Sequence, residues 1–319
     1  MTMPKHSFVT IVMPLYNKEA EVERAMRSVL VQSFRDYELI VVNDGSTDKG
    51  PDVVATIGDS RIRMVHQENA GVSAARNRGI EEARTDLIAF LDADDEWKPD
   101  FLETILRLRK KFAACKVFAT QYLFRSPDGR QRPAIVRGLT DGFLDGVLVN
   151  YFDIAAKSDP PVFSSAVVVE KKAIIGIGGF PVGITSGEDL LTWARLATKF
   201  RIAYSIKPCA IHYNPQSVSD RPGRIPQEPD MVENALRELL SSADSATIPG
   251  LKAYIGLWHR MRAIIFIQLG KKRNALRELM EAMRTAPSVK LFLLFLIASL
   301  PGSFPVMVLM SIKKVRTDS

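Results

Sequence analysis

The chain is short of the residues that would assign it to several common classes. Two cysteines, Cys115 and Cys209, in 319 residues cannot build a disulfide framework. Both stand in apolar surroundings, which predicts buried thiols and a reducing compartment. No glycine-rich phosphate loop follows the first apolar stretch, which ends in PLYNKE; that argues against a nucleotidyl transferase. A G-x-G-x-x-G fingerprint is also missing. Gly176, Gly178 and Gly179 come late, and Pro181 stands where the last glycine belongs, which argues against a dinucleotide-dependent dehydrogenase. The apolar stretch 289–312 is broken by Pro301, Gly302 and Pro305, and neither half reaches the ~20 residues of a spanning helix. Phe8–Leu15 is apolar but runs into Tyr16 and Asn17 without a small-residue cleavage pattern, so it reads as a first core strand and not a signal peptide.

Charge is present but unevenly placed. The net charge is +7. From residue 250 onward twelve basic residues face three acidic ones, an excess of nine, so residues 1–249 carry a net −2. The positive balance belongs to the tail, and no nucleic-acid partner is expected.

Residues up to about 115 alternate strand and helix patterns at the spacing of βαβ units. Strands are predicted over Phe8–Met13, Tyr37–Val42, Ile62–Val65 and Leu87–Leu91, with helices over Glu19–Gln32 and Gly71–Ala83. Pro99 opens another helix, and Cys115–Phe124 reads as a strand. Ser126–Asp159 lacks a strong period and reads as a loop-rich excursion with at most one helix. Regularity returns with a strand over Ser164–Val169, a helix over Glu188–Phe200 and a strand over Ile202–Ile206. The pattern predicts an α/β catalytic domain over residues 1–216, a linker rich in Pro, Gly and charge over 217–230, and a helical extension over 231–319. The extension ends in the apolar segment 289–312, flanked by Lys290, Lys313, Lys314 and Arg316. It reads as an interfacial or re-entrant segment on an anionic membrane, or else as a buried helical hairpin that packs on the catalytic domain or forms a dimer.

The richest stretch is LIAFLDADDE, residues 87–96. A short apolar run of the buried-strand kind ends in Asp92, Asp94, Asp95 and Glu96. At ~4 Å and an effective dielectric of ~20, one pair of such charges repels by about 4 kcal/mol. A cation or a set of hydrogen-bond donors relieves that, and hard divalent ions such as Mg²⁺ take one or two carboxylates plus phosphate oxygens. The alternative is a solvated loop whose acids cap the helix opening near Pro99. Open α/β sheets bind ligands at the carboxyl ends of strands, and two more loops fall there. One is Pro14-Leu15-Tyr16-Asn17-Lys18-Glu19; the other is Asn43-Asp44-Gly45-Ser46-Thr47-Asp48. Tyr16 can lie against a flat ring and Asp44 can accept an N–H from a base, although a tight Asp-Gly turn also explains Asp44. Residues 68–78 open a helix whose start favours anions and whose Arg76 and Arg78 can reach a nucleotide. Gly187-Glu188-Asp189 opens another; its acids are either dipole partners or a base for an acceptor hydroxyl.

The set MPLYNKE, ELIVVNDGSTD, NAGVSAARNRG, FLDADD and GGFP…GEDL, in this order, resembles the family-2 glycosyltransferases of the GT-A fold. The resemblance covers roughly residues 7–215. It implies a Rossmann-like, mostly parallel sheet flanked by helices, and a nucleoside-diphosphate sugar as donor, most often a UDP-sugar. It implies that Pro14, Tyr16, Asp44 and Arg76 line the base and ribose, with Asn17 and Glu19 in the same loop. Asp92 and Asp94, with Asp95 adjacent, would hold a divalent metal, Mg²⁺ or Mn²⁺, on the diphosphate. Asp189 would be the catalytic base, with Glu188 beside it, in an inverting displacement. His212 is either a contact to the diphosphate or a structural histidine.

The chain departs from the processive members in lacking Gln-x-x-Arg-Trp; Gln216-Ser217-Val218-Ser219-Asp220 is the nearest stretch. Transfer of one sugar per event is expected, to a glycan or lipid-linked acceptor of the cell envelope, at the cytoplasmic face of the plasma membrane. The competing readings are another nucleotide-sugar enzyme, or a non-catalytic nucleotide-binding scaffold of the same fold.

Overall fold

The computed structural model describes residues 8–214, 225–242 and 248–300. It divides into two compact units, Met1–Pro222 and Gly223–Ser319. The proposed linker therefore falls mostly on 217–224, outside the described residues, as do residues 301–312 of the apolar segment.

The first unit opens with β1 (Val9–Leu15), α1 (Val22–Leu30), β2 (Tyr37–Asp44), α2 (Gly50–Thr56), β3 (Ile62–Gln67), α3 (Val72–Glu82) and β4 (Leu87–Phe90). After it come β5 (Glu96–Trp97), α4 (Phe101–Lys111), β6 (Val117–Arg125), β7 (Gln131–Pro133), β8 (Asp145–Val147) and α5 (Tyr151–Lys157). A 3-10 turn at Ser164–Ala166 leads into β9 (Val167–Glu170), α6 (Lys171–Ile175), α7 (Glu188–Lys199) and β10 (Ile202–Tyr213). The sheet runs β3-β2-β1-β4-β9-β6-β10-β5, with β7 on β6 and β8 on β10. β1 to β4, β6 and β10 point one way, and β9 lies antiparallel between β4 and β6.

β1, β2 and β4 are buried almost end to end, as strands covered on both faces require. α1 turns Val22, Met26 and Val29 into that core. α3 approaches β1 so closely that a Cβ on Gly79 would stand 2.2 Å from Val12 Cγ1. Only glycine admits that contact, which packs the carboxyl half of α3 directly on β1.

Three features differ from the sequence pattern. α2 forms where no helix was expected, with Pro51 in its first turn. The excursion 126–159 contains two short strands besides α5, the one helix allowed for there. β10 does not stop at Ile206; it shifts register at Pro208, which lacks an N–H, and resumes beside β6 as far as Tyr213. That continuation carries His212 to the carboxyl edge.

The second unit holds α8 (Met231–Ser242), α9 (Leu251–Gln268), α10 (Lys272–Thr285) and α11 (Val289–Ser299). Ala263, Phe266, Ile267, Ala275, Leu279, Leu291 and Ala298 form its apolar core. A second, polar core lies between α9 and α10. There Glu278 accepts from His259 at 2.7 Å and from Arg262 at 3.0 Å, all three side chains being buried. Among the described residues no helix is long and apolar enough to cross a membrane.

Candidate active site

The strand-end loops of β1, β2 and β4 converge, as their parallel register dictates. β4 delivers Leu91, whose N–H bonds Val12 carbonyl oxygen at 3.1 Å, and the chain then turns with Asp95 N–H on Asp92 carbonyl oxygen at 3.0 Å. Asp92 and Asp94 are partly exposed on this turn. Each already faces a cation of the chain. Arg76 Nη2 lies 2.7 Å from Asp92 Oδ1, and Lys18 Nζ lies 2.9 Å from Asp94 Oδ2.

Arg76 is the centre of the arrangement. Its side chain is only 3 % exposed, and its Nη1 lies 3.8 Å from Glu188 Oε1. The guanidinium sits over the Phe180 ring at 5.1 Å. Burial lowers its pKa, but Asp92 and Glu188, with Asp189 beyond, outweigh that and hold it above its ordinary value. Arg76 thus stays charged and joins the acids after β4 to those opening α7. The site around it is built from two sequence motifs that clasp each other. Asn77 accepts from Phe180 N–H at 2.8 Å and donates back to Phe180 carbonyl oxygen at 2.8 Å. Gly179, at φ +71°, leaves room for that amide, since a Cβ there would meet Asn77 Oδ1 at 2.6 Å.

Glu188 and Asp189 form the first turn of α7, after Gly187 in the left-handed region. The amino end of the helix dipole faces their carboxylates. Glu188 is buried; Asp189 is half-buried, and its Oδ1 accepts from Leu190 N–H at 2.7 Å.

Asp95 is turned inward and is 1 % exposed. It accepts from Ser165 Oγ at 2.5 Å and from Tyr213 N–H at 3.3 Å, and meets His212 Nδ1 at 3.0 Å. Both oxygens are therefore committed within the protein. Burial pushes the Asp95 carboxyl up, against the pull of His212. Burial would lower His212, but the Asp95 charge, the hydrogen bond to it, and Asp94 and Asp92 beyond raise it on balance. The imidazole stands edge-on to Phe163 and Phe124, at 5.0 and 5.7 Å. Asp95 thus supports His212 and the turn, while His212 borders the acidic loop.

Asp44 is buried and accepts from Gln67 Nε2 at 2.7 Å and from the N–H groups of Ala70 and Gly71, both at 2.9 Å. It ties the β2 end to the start of α3. Asn17, at φ +51°, accepts from Thr47 N–H at 2.8 Å, and Glu19 accepts from Lys49 N–H at 2.9 Å. Those two clamp the β1 loop to the β2 loop. Tyr16 is exposed beside half-buried Pro14, as a ring offered to a ligand would be.

Residue-by-residue reading missed Lys18 and Ser165. Lys18 had a signal, a cation in a strand-end loop. Ser165 had none, because its role rests on partners in another loop: it accepts from Asp92 N–H at 3.1 Å and donates to Asp95. No group of three or more His, Cys, Asp or Glu side chains is arranged to hold a metal among the described residues. The donor set still suits Mg²⁺ or Mn²⁺, which need only one or two carboxylates beside phosphate oxygens. Asp92 and Asp94 supply hard oxygens on a partly exposed turn.

Residues 10–148 match the family model described as Glycosyl transferase family 2. The chain is 32 % identical over 208 residues to a Bacillus subtilis (strain 168) protein named as a teichuronic acid biosynthesis glycosyltransferase, TuaG, covering 64 % of this chain and 78 % of that one. It is 42 % identical over 101 residues to B. subtilis EpsH, named as a glycosyltransferase, covering 31 % of this chain and 29 % of EpsH. The chain therefore spans most of one relative and under a third of the other. Residues 1–349 of S. aureus TarS, solved with UDP-GlcNAc, share the fold at a TM-score of 0.68 and 16 % identity, covering 88 % of this chain and 82 % of that one. The mannosyltransferase PcManGT from Pyrobaculum calidifontis, solved with GDP-Man and Mn²⁺, does so at 0.55 and 18 % identity, covering 91 % and 79 %. With the motifs, the sheet order and these likenesses in agreement, the chain belongs to the family-2 glycosyltransferases.

Proposed function

We propose that the protein is a non-processive, inverting glycosyltransferase that moves a sugar from a nucleoside-diphosphate donor, most readily a UDP-sugar, to a hydroxyl of a glycan or lipid-linked acceptor in cell-envelope synthesis. One observation carries this reading: buried Arg76 joins Asp92 to Glu188, so the acidic turn after β4 and the acidic start of α7 border one site. A donor bound there puts its diphosphate on one side of the anomeric carbon and a carboxylate base on the other.

Tyr16 and Pro14 offer an apolar face to the base. Asp44 fixes the loop that opens α3, whose free N–H groups and dipole favour the ribose–phosphate end. Asp189 takes the proton from the acceptor hydroxyl. The acceptor oxygen forms a bond to the anomeric carbon as the bond from that carbon to the diphosphate oxygen breaks, and the configuration inverts. Lys18 and Arg76 are positioned to balance charge growing on the departing diphosphate. A divalent ion held by Asp92 and Asp94 would supply further neutralisation of that leaving group. The basic, apolar-ended C-terminal region supports work at the inner face of the plasma membrane.

Calorimetry with a panel of nucleotide-sugars, with and without Mn²⁺, tests the donor. Metal-enhanced binding of one donor is expected; nucleotide binding that Mn²⁺ does not enhance favours the scaffold reading, and no nucleotide binding under either condition overturns both. Asp189→Asn is expected to lose transfer at least ~100-fold while binding donor within about twofold. Full transfer by that variant removes the base assignment.

A further inference from the structure

α11 is apolar on both sides, yet only one side is covered. Leu291 and Ala298 are buried, and Leu294 and Phe295 pack on the same core with α9 and α10. On the outward side Val289 is 75 % exposed, Phe292 55 %, Leu293 52 %, Leu296 47 % and the following Leu300 41 %. Those positions recur at the spacing of one helical face. The eleven residues of α11 rise only ~16 Å, about half the hydrocarbon thickness, so the helix suits a position along an interface and not across one.

The fold also places positive charge at both ends of this row. Lys290 is exposed beside Val289 and Leu293. At the far end Lys272 donates to the carbonyl oxygens of Ser299 and Leu300. That bond brings the start of α10, with exposed Lys271 at its cap and exposed Arg273 in its first turn, to the carboxyl end of α11. Among the described residues no carboxylate lies within ion-pair distance of Lys271, Arg273 or Lys290.

We propose that the outward face of α11, with Lys290, Lys271 and Arg273, is a docking surface for an anionic lipid bilayer, on which the helix lies flat. Apolar side chains enter the acyl boundary while the lysines and arginine meet the headgroups. A second copy of the chain fits less well. Pairing two such faces, in either orientation, sets basic ends against basic ends. The inference rests on the reading that the enzyme works at a membrane, and it names the part that touches it.

The test is co-sedimentation of the full chain with vesicles of phosphatidylcholine, alone or with about one-third phosphatidylglycerol. Binding is expected to the anionic vesicles and to weaken as salt screens it. Leu293→Glu with Leu296→Glu should lower partitioning at least ~10-fold. Lys271→Glu with Arg273→Glu should lower it about fivefold or more for each residue. Unchanged binding by both double variants overturns the proposal. So does a wild-type chain that ignores anionic vesicles, or that forms a dimer which the leucine variant dissolves. Nucleotide-sugar binding is measured on the same preparations. Donor binding without vesicle binding sinks the docking surface alone; vesicle binding without donor binding sinks the enzymatic reading alone.

Discussion

Arg76 Nη2 lies 2.7 Å from Asp92 Oδ1, and its guanidinium is buried against the Phe180 ring. Helix arginines usually point to solvent; this one points inward because acids from two distant loops await it. The pair therefore does more than stabilise a helix. It sets the distance between the acidic turn after β4 and the acids that open α7.

Removing that charge should damage both fold and activity. Arg76→Met leaves Asp92 and Glu188 facing each other without a cation, and breaking a buried pair of this kind costs about 3 kcal/mol. Transfer should fall at least ~100-fold, the effect of losing a preorganised charge partner. Arg76→Lys should rescue little, since an ammonium cannot span both carboxylates as a planar fork does. Chemical denaturation read beside sugar-transfer rates checks this; a stable and active Arg76→Met enzyme would remove Arg76 from the site.

The contact between Gly79 and Val12 gives a test of the fold itself. Gly79→Ala places a methyl 2.2 Å from Val12 Cγ1, and overpacking at such a site costs about 2 kcal/mol. Val12→Ala alone should cost about 2 kcal/mol through its cavity. Combined, the two should cost less than their sum by about 1 kcal/mol or more, because the new methyl enters the space the valine leaves. Strict additivity in denaturant melts would mean that α3 simply shifts away from β1.

Much of this arrangement was legible in the sequence, for identifiable reasons. Unbroken apolar runs betrayed β1, β2 and β4, and polar strand ends placed three loops at one edge. One-face apolar spacing betrayed α1, and the stretch holding α9 and α10 was expected to be helical. Where partners are remote, the sequence was silent. Ser165 acquires its role from Asp95, seventy residues away. β10 outlives Pro208 only because β6 offers it a second register. The sequence offers Arg76 to a nucleotide, and nothing in it sets that side chain between two acids until the loops carrying Asp92 and Glu188 are folded around it. Asp95 reads as one more acid of the turn, yet its inward rotation separates it from Asp92 and Asp94.

The polar core of the helical unit predicts a pH dependence. Burial raises Glu278, but the His259 hydrogen bond and the Arg262 charge overcome that, so its folded pKa lies below the ordinary value. Around it stand His259 and Arg262 on α9, Arg277 on α10 at 3.7 Å, and Asp230 and Glu233 on the far side of Arg262 and His259. A depressed carboxyl stabilises the fold above its unfolded pKa, about 4.3, and that contribution disappears as pH falls through the folded value. Stability should therefore drop on acidification below about pH 4.5. Glu278→Gln should lower stability at neutral pH by about 2 kcal/mol and flatten the acid limb. Thermal melts of both proteins from neutral to acidic pH decide it; an acid limb unchanged in the variant would assign the effect to other carboxylates.

Ser165 offers the sharpest separation of positioning from bulk stability. Its oxygen accepts from the Asp92 N–H and donates to Asp95, while its carbonyl accepts from Trp97 Nε1 at 2.6 Å. Ser165→Ala keeps the carbonyl and the packing but deprives a buried carboxylate and a backbone N–H of their partners, at about 2 kcal/mol. Asp95 then loses one of the groups that hold it inward, and the turn bearing Asp92 and Asp94 loosens. Donor binding in the presence of Mn²⁺ should weaken about tenfold, whereas metal-free nucleotide binding through the β1 and β2 loops should change less than twofold. Ser165→Thr, which restores the hydroxyl, should recover most of the metal-dependent part. Calorimetry of the three proteins with and without Mn²⁺ distinguishes the two losses. Equal weakening under both conditions would mean that Ser165 supports the fold as a whole and not the acidic turn.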